Sequence, residues 1–274
     1  KIRVELVPGG IGTPLLYPNT YLNNLLVRYD AAIVVAHSDQ IEFEGDPAVF
    51  HVLGHGRDVR IVDGTSSFLL PKKYTPYLFT FDFIPAYKFA SESTIFEPYC
   101  FQSDEVPRRA GEPPYIYFIG APFGNIPCQP ADSTPPSLPD ISEAFIEELE
   151  NRHWDLANGA TLADYTFSET AANEYELITS WHIGREAEGH HFQQFNHLYV
   201  EGQADPYQIK DIYTSSRAWR AGDTLYTWTT FSTPNGETPD FIHTGMYTLP
   251  DVQRIPRLVP EGEDALFPIQ LNLN

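Results

Sequence analysis

The chain has 274 residues, of which 42% are hydrophobic and 14% aromatic, so it is long and apolar enough for one large or two ordinary domains. Its formal net charge is −20, from 37 acidic and 17 basic residues, and it contains no run of Lys or Arg. Such a field repels phosphate backbones and anionic membrane surfaces, which argues against nucleic-acid and membrane partners. No apolar run approaches the roughly 20 residues of a membrane-spanning helix.

Residues 1–136 have the pattern of a β-rich module. Turn signals at Glu44-Gly45-Asp46 and Asp63-Gly64 separate apolar runs whose length of about 4–8 residues is typical of antiparallel strands. No start or stop signal of a helix stands out here. The predicted strands are Leu25–Tyr29, Ala32–Ala36, Gln40–Phe43, Val49–Leu53, Val59–Val62, Ser67–Leu70 and Tyr77–Ile84.

Prolines interrupt residues 85–136, where Tyr115–Ile119 is the one convincing strand. We predict a long ordered connection whose many aromatic side chains pack across a domain junction. The boundary is placed within Ser133–Pro136. The predicted domains are therefore a β-rich module over 1–136 and a second domain over 137–274, which ends in an extended tail.

The only two cysteines, Cys100 and Cys128, lie in this proline-rich region. They are compatible with one disulfide of a secreted protein and, equally, with two free thiols of a cytoplasmic protein. The sequence therefore leaves the localisation open.

The histidines of the first half raise the question of a cupin-like metal site. His51 and His55 have the wrong spacing for such a site, and no Glu follows them at the right distance. His37 and Glu42 do not complete a cupin-like set of metal ligands. We therefore predict hydrogen-bonded or surface histidines and no metal site.

The second half begins with a predicted helix over Ile141–Ala157. Asp140 and Glu143 form a capping box at its start, and Asn158-Gly159 is a typical helix end. His153 lies on the apolar stripe of this helix. It is either a satisfied core histidine or an acid/base group that faces a pocket.

Strands dominate the rest of the chain. Residues in Glu174–Ile183 alternate, which places Trp181 on one face and His182 on the other. Gly184 ends that strand, and Arg185–Phe195 has helical character. Hairpin turns then separate three predicted strands, which are Tyr207–Trp219, Thr224–Ser232 and Pro239–Leu249.

The order of predicted helices and strands in the second half resembles that of the NTF2-like superfamily, in particular its SnoaL-like cyclase and scytalone dehydratase branches. The similarity rests on the helix that ends in Asn158-Gly159 and on Gly184-Arg185-Glu186-Ala187. It rests also on the two closing segments, 220–228 and 243–247. The resemblance implies an α+β fold in which a cone-shaped, curved antiparallel sheet wraps on helices around an apolar pocket. Members commonly bind a small hydrophobic molecule there, and many act on it without a cofactor.

Placed in that frame, eight residues are candidates for the site. A histidine with a pKa near neutrality can move a proton, a tyrosine can hold an oxygen, and large rings can shape a hydrophobic substrate. The catalytic candidates are His182, His243, His153 and Tyr165, and the substrate-binding candidates are Trp181, Tyr226, Trp228 and Tyr247. We expect no metal and no cofactor, a hydrophobic small molecule as partner, and at most a small oligomer such as a homodimer.

The predicted function is that of a cofactor-independent enzyme of natural-product biosynthesis that performs cyclisation, dehydration or pericyclic, Diels–Alder-type chemistry. Neither a Gly-x-Ser-x-Gly nor a Cys-x-x-Cys motif is present, whereas pericyclic catalysis needs only shape, orientation and one or two hydrogen bonds. Two alternatives stay open. One is a small-molecule-binding protein without catalysis, and the other is a β-rich structural protein such as a viral capsid subunit.

Overall fold

The computed structural model describes residues 16–42, 45–80, 85–92, 99–106, 115–122, 154–259 and 267–270. It is 51% strand and 18% helix, arranged around three open sheets, which confirms the α+β class and makes the protein mostly β. The chain divides into two compact units. The first consists of Lys1–Thr65 and Lys73–Asp140, and the second of Ser66–Lys72 and Ile141–Asn274.

The first unit contains a five-stranded sheet with the order β2-β1-β4-β6-β5. Its strands are β1 (Ala31–Ala36), β2 (Asp58–Asp63), β4 (Tyr77–Phe79), β5 (Tyr99–Val106) and β6 (Tyr115–Pro122). β1 pairs in parallel with both β2 and β4, while β6 pairs in the antiparallel sense with β4 and β5. The prediction of a purely antiparallel module is therefore wrong, although the strands expected at Ala32–Ala36, Val59–Val62 and Tyr115–Ile119 are confirmed.

Among the described residues, three helices accompany this sheet: α1 (Leu16–Tyr29), α2 (Gly45–Leu53) and α3 (Pro85–Glu92). The strands predicted at Leu25–Tyr29 and Val49–Leu53 are wrong, because both segments are helical. Leu22, Leu25 and Leu26 recur at helical spacing and are buried in one apolar cluster with residues of α2 and the sheet. Asp30 follows the last residue of α1, and its φ of 61° takes the chain out of the helix.

The described parts of residues 85–136 are not a connection but elements of the first unit. Besides the expected β6 they include α3 and β5, neither of which was predicted, because prolines interrupt this part of the sequence. Tyr87 on α3 stacks on Phe118 of β6 with ring centroids 4.0 Å apart, so these aromatic side chains pack within the unit. Cys100 is disulfide-bonded, and Cys128, the only other cysteine, lies outside the described residues.

The second unit contains two antiparallel sheets, of six strands (β14-β7-β8-β9-β12-β3) and of four (β11-β10-β13-β15). The larger sheet comprises β3 (Ser67–Leu70), β7 (Trp154–Leu156), β8 (Ala160–Ala171), β9 (Glu174–Ile183), β12 (Thr224–Ser232) and β14 (Arg257–Val259). The smaller sheet comprises β10 (Phe192–Val200), β11 (Gln208–Tyr213), β13 (Pro239–Thr248) and β15 (Phe267–Gln270).

The strands predicted at Glu174–Ile183, Thr224–Ser232 and Pro239–Leu249 are confirmed as β9, β12 and β13. The two predicted helices fare differently. Arg185–Ala187 is a single 3-10 turn and Phe192 already begins β10, so the helix over Arg185–Phe195 is wrong. Residues 154–156 form β7, which contradicts the end of the predicted Ile141–Ala157 helix, and residues 141–153 lie outside the described residues.

Gly184 has a structural task in the turn after β9. Its amide donates to the carbonyl of Gly159 at 2.8 Å, and a Cβ at position 184 would collide with that carbonyl oxygen. The Gly-Arg-Glu-Ala motif thus marks a close approach of two backbone segments rather than the start of a helix.

The two sheets face one another through an interior that is partly apolar and partly polar. Leu177 and Phe231 of the larger sheet pack with Leu198 and Ile242 of the smaller one. Beside them lies a hydrogen-bonded network of fully or nearly fully buried side chains, here called the interior network. Its members are Thr179, Trp181, Gln194, Asn196, Thr227, Thr229 and Thr244.

Candidate functional site

The outer face of the four-stranded sheet carries a group of rings on two neighbouring strands. In the register of β10 and β13, His197 lies opposite His243, and Tyr199 lies opposite Phe241. Phe195 and Tyr247 belong to the same face. Cross-strand neighbours on one face have Cβ atoms roughly 5 Å apart, so the two imidazoles stand side by side. These six residues are called the histidine face.

The rings of the histidine face are in mutual contact. Tyr199 and Phe241 stack with centroids 4.5 Å apart, and the His243 ring lies 4.8 Å from each of them. The His197 ring lies 5.0 Å from that of Phe195. Both histidines, Tyr199 and Phe241 are half-buried, which leaves ring edges or faces accessible on this surface.

Phe195 is the buried base of this arrangement, with 2% of its surface exposed. It pairs with Gly245, so no side chain opposes it on β13. Tyr247 stacks on it at a centroid distance of 6.3 Å, and the guanidinium carbon of Arg254 lies 5.2 Å from its ring centroid. An outward-facing phenylalanine is thus covered by another ring and by a cation.

The surroundings of His197 favour its neutral form. Burial lowers the pKa of His197 below the ordinary value, and the charge of Arg254 lowers it further, while Asp211 acts in the opposite direction. A neutral imidazole can accept a proton or a hydrogen bond at neutral pH. Burial also raises the pKa of Tyr247 to about 12, with added contributions from the charge of Asp211 and a hydrogen bond to it.

The structure does not bring the two principal histidine candidates together. His243 and Tyr247 lie on the histidine face. His182 lies on β9 and points away from the interior, as do Tyr226 and Trp228 on the adjacent strand β12. These three residues share the outer face of the six-stranded sheet, where burial, with a smaller contribution from Asp164, raises the pKa of Tyr226.

The remaining candidates do not lie on either outer face. Trp181 is fully buried in the interior network, and its indole N–H donates to the Thr179 hydroxyl at 2.9 Å. Tyr165 is half-buried and stacks on Trp154 with ring centroids 5.9 Å apart, beside the apolar part of the interior. His153 lies outside the described residues.

Sequence reasoning missed His197, Phe195, Asp211 and Arg254. A signal for the first two exists, because rings alternate with amide or aliphatic side chains over Gln194–Val200. The predicted helix over Arg185–Phe195 covered the start of that alternation. Asp211 on β11 and Arg254 after β13 reach this face through pairing between distant strands, which the sequence does not show directly.

No family model, curated protein or solved structure matches the chain, so the similarity to the NTF2-like superfamily stays a prediction. Among the residues that the structure describes, no group of three or more His, Cys, Asp or Glu side chains could hold a metal ion. In the same part of the chain, no helix is long and apolar enough to cross a membrane.

Proposed function

We propose that the second unit is a cofactor-independent enzyme that takes a flat hydrophobic small molecule on the histidine face. The observation that carries the proposal is the side-by-side placement of His197 and His243 among half-buried rings. Exposed aromatic patches on soluble proteins commonly mark ligand-binding surfaces, and imidazoles within such a patch add acid–base chemistry. Dehydration, and cyclisation by an ionic rather than a pericyclic route, need a proton to be moved on such a substrate.

In this proposal His197 is the base, because its lowered pKa leaves the imidazole unprotonated at neutral pH. His243 stands next to it and can hold or return a proton on the same face of the substrate. Tyr199 and Phe241 would contact the apolar body of the substrate and orient it. The hydroxyl of Tyr247 is directed to Asp211, so we assign its ring to packing rather than to proton transfer.

A generic proton-abstraction substrate tests the proposal without knowledge of the natural one. 5-Nitrobenzisoxazole is flat and neutral, and when a base removes its ring C–H proton the C–H electrons form a nitrile, the N–O bond breaks and the ring opens to a coloured cyanophenolate. We expect saturable turnover by the protein above the buffer rate. His197→Gln should reduce the rate at least tenfold, since general bases typically contribute about 10²–10⁴-fold.

The matched control is His55→Gln, which removes an exposed histidine of the first unit and should leave the rate unchanged. Thermal melting of each variant separates loss of catalysis from loss of fold. Equal rates for the native protein and His197→Gln would refute the catalytic assignment. Binding of the compound without any turnover would instead support a binding protein without catalysis.

A further inference from the structure

Arg254 borders the histidine face at the end opposite to β11. It forms a β-bridge with Tyr247, on the side of β13 that does not pair with β10. Its side chain is exposed, yet the guanidinium is held over the Phe195 ring at 5.2 Å. A planar guanidinium that lies on an aromatic ring keeps its N–H donors free at the rim of the stack.

This cation has no carboxylate partner among the residues that the structure describes. The chain carries 37 acidic against 17 basic residues, so most exposed arginines could find a carboxylate partner. The charge of Arg254 instead acts on the site, where it helps to lower the pKa of His197. The arrangement leaves a positive charge and a set of directed donors beside an apolar surface.

We infer that the ligand of the histidine face is an amphipathic anion, with an apolar ring body on Tyr199 and Phe241 and a carboxylate or similar planar anion on Arg254. This inference rests on the proposed function and adds the substrate class to it. Guanidinium and carboxylate match as paired parallel hydrogen bonds, which a point charge could not provide.

The charges of the face also fix the orientation of such a ligand. Asp211 pairs with Phe195 from β11, so the backbones of Asp211 and Arg254 lie at opposite edges of the face. Its carboxylate accepts the hydrogen bond of Tyr247 and would repel a second anion. The anionic group of the ligand therefore points towards Arg254, and the ring body extends across β13 and β10.

Three compounds with the same naphthalene ring test the inference: 2-naphthoate, 2-naphthamide and 2-naphthylmethylammonium. Calorimetric or NMR titration at low salt and pH 7.5 should show that the naphthoate binds roughly two- to fivefold more tightly than the amide, the range of an exposed ion pair. The ammonium compound should bind most weakly. In 1 M NaCl the advantage of the naphthoate should shrink, because the charges are then screened within a few ångströms.

Arg254→Gln should abolish the preference for the naphthoate and leave the affinity for the amide nearly unchanged. Arg254→Lys should keep part of the preference. Arg185→Gln makes the same charge change at an exposed residue of the 3-10 turn and should keep all of it.

The outcomes separate the inference from the function on which it rests. If the amide binds as tightly as the naphthoate, or the ammonium compound binds best, the anionic substrate class is wrong while the hydrophobic site stands. A naphthoate preference that survives in Arg254→Gln overturns the role of Arg254. Binding of none of the three compounds would remove both the inference and the proposed function.

Discussion

Replacing Gln194 by leucine tests whether the interior network stabilises the second unit. The Gln194 side chain is fully buried between the two sheets. Its amide nitrogen lies 3.3 Å from the Thr179 hydroxyl and 3.2 Å from the Asn196 amide oxygen, and its oxygen accepts from Thr227 at 3.0 Å. Leucine has a similar volume, so the substitution removes hydrogen bonds while leaving little empty space.

The partners of Gln194 differ in what they lose. Thr179 and Thr227 keep their mutual hydrogen bond of 2.7 Å, whereas the Asn196 amide oxygen loses its donor and the Thr227 hydroxyl loses an acceptor. A buried polar group left without a partner costs about 1–3 kcal/mol. We therefore expect Gln194→Leu to lower the free energy of unfolding by about 2–4 kcal/mol. Thr227→Val should cost about 1–2 kcal/mol, and the double variant should cost less than the two together.

Urea denaturation followed by tryptophan fluorescence is the appropriate assay, because all four tryptophans (154, 181, 219 and 228) belong to the second unit. The transition therefore reports that unit alone. Gln203→Leu, the same change at an exposed turn, is the control and should cost less than about 0.5 kcal/mol. An unchanged or raised urea midpoint for Gln194→Leu at constant slope would refute the stabilising role of the network.

Three further predictions follow from the site and its supports. Burial lowers the native pKa of His197, so this residue contributes stability that is fully present above its unfolded pKa of about 6.5. That contribution should be lost as the pH falls from the unfolded pKa through the native one. His197→Gln should therefore weaken the dependence of the urea midpoint on pH over this window. Asp211→Asn should lower the pKa of the Tyr247 phenol, which NMR of ¹³C-labelled tyrosine would detect. Gly159→Ala should cost about 1–2 kcal/mol in a melting experiment, since its φ of +79° is a backbone conformation that alanine rarely adopts.

Much of the first unit was within reach of the sequence. The run Ala32–Ala36 is continuously apolar and at most 1% exposed at each residue, which is the pattern of a strand buried on both faces in a parallel sheet. The helical spacing of Leu22, Leu25 and Leu26 was equally visible, and Pro18 is compatible with the first turn of a helix. The prediction of short antiparallel strands used neither the continuous apolar run nor the helical spacing of the leucines.

The candidate site was only partly predictable, because strand pairing between distant segments decides which residues meet. Alternation placed His243 and Tyr247 on one face of β13, and that face is the one observed. The expected meeting of His182 with His243 is not observed, since the two residues point outward from opposite sheets. His197 became a candidate only once β10 was paired with β13.

The reversed pattern of β10 explains why that strand was hard to recognise. Its inward-facing amides, Gln194 and Asn196, are fully buried, whereas Phe195, His197 and Tyr199 point outward. An ordinary strand would bury the rings and expose the amides. Local rules are most often broken at functional or strained sites, so the reversal itself supports a ligand surface on the outer side.

The interior network also fixes the register of β10. A slip of one residue would turn the rings of β10 inward, but it would turn Phe192, Leu198 and Val200 outward together with the amides. The amides of Gln194 and Asn196 find hydroxyl partners on the facing sheet, in Thr179 and Thr229, only in the observed register. The interior network therefore holds His197 opposite His243, and Gln194→Leu should lower 5-nitrobenzisoxazole turnover even under conditions in which the variant remains folded.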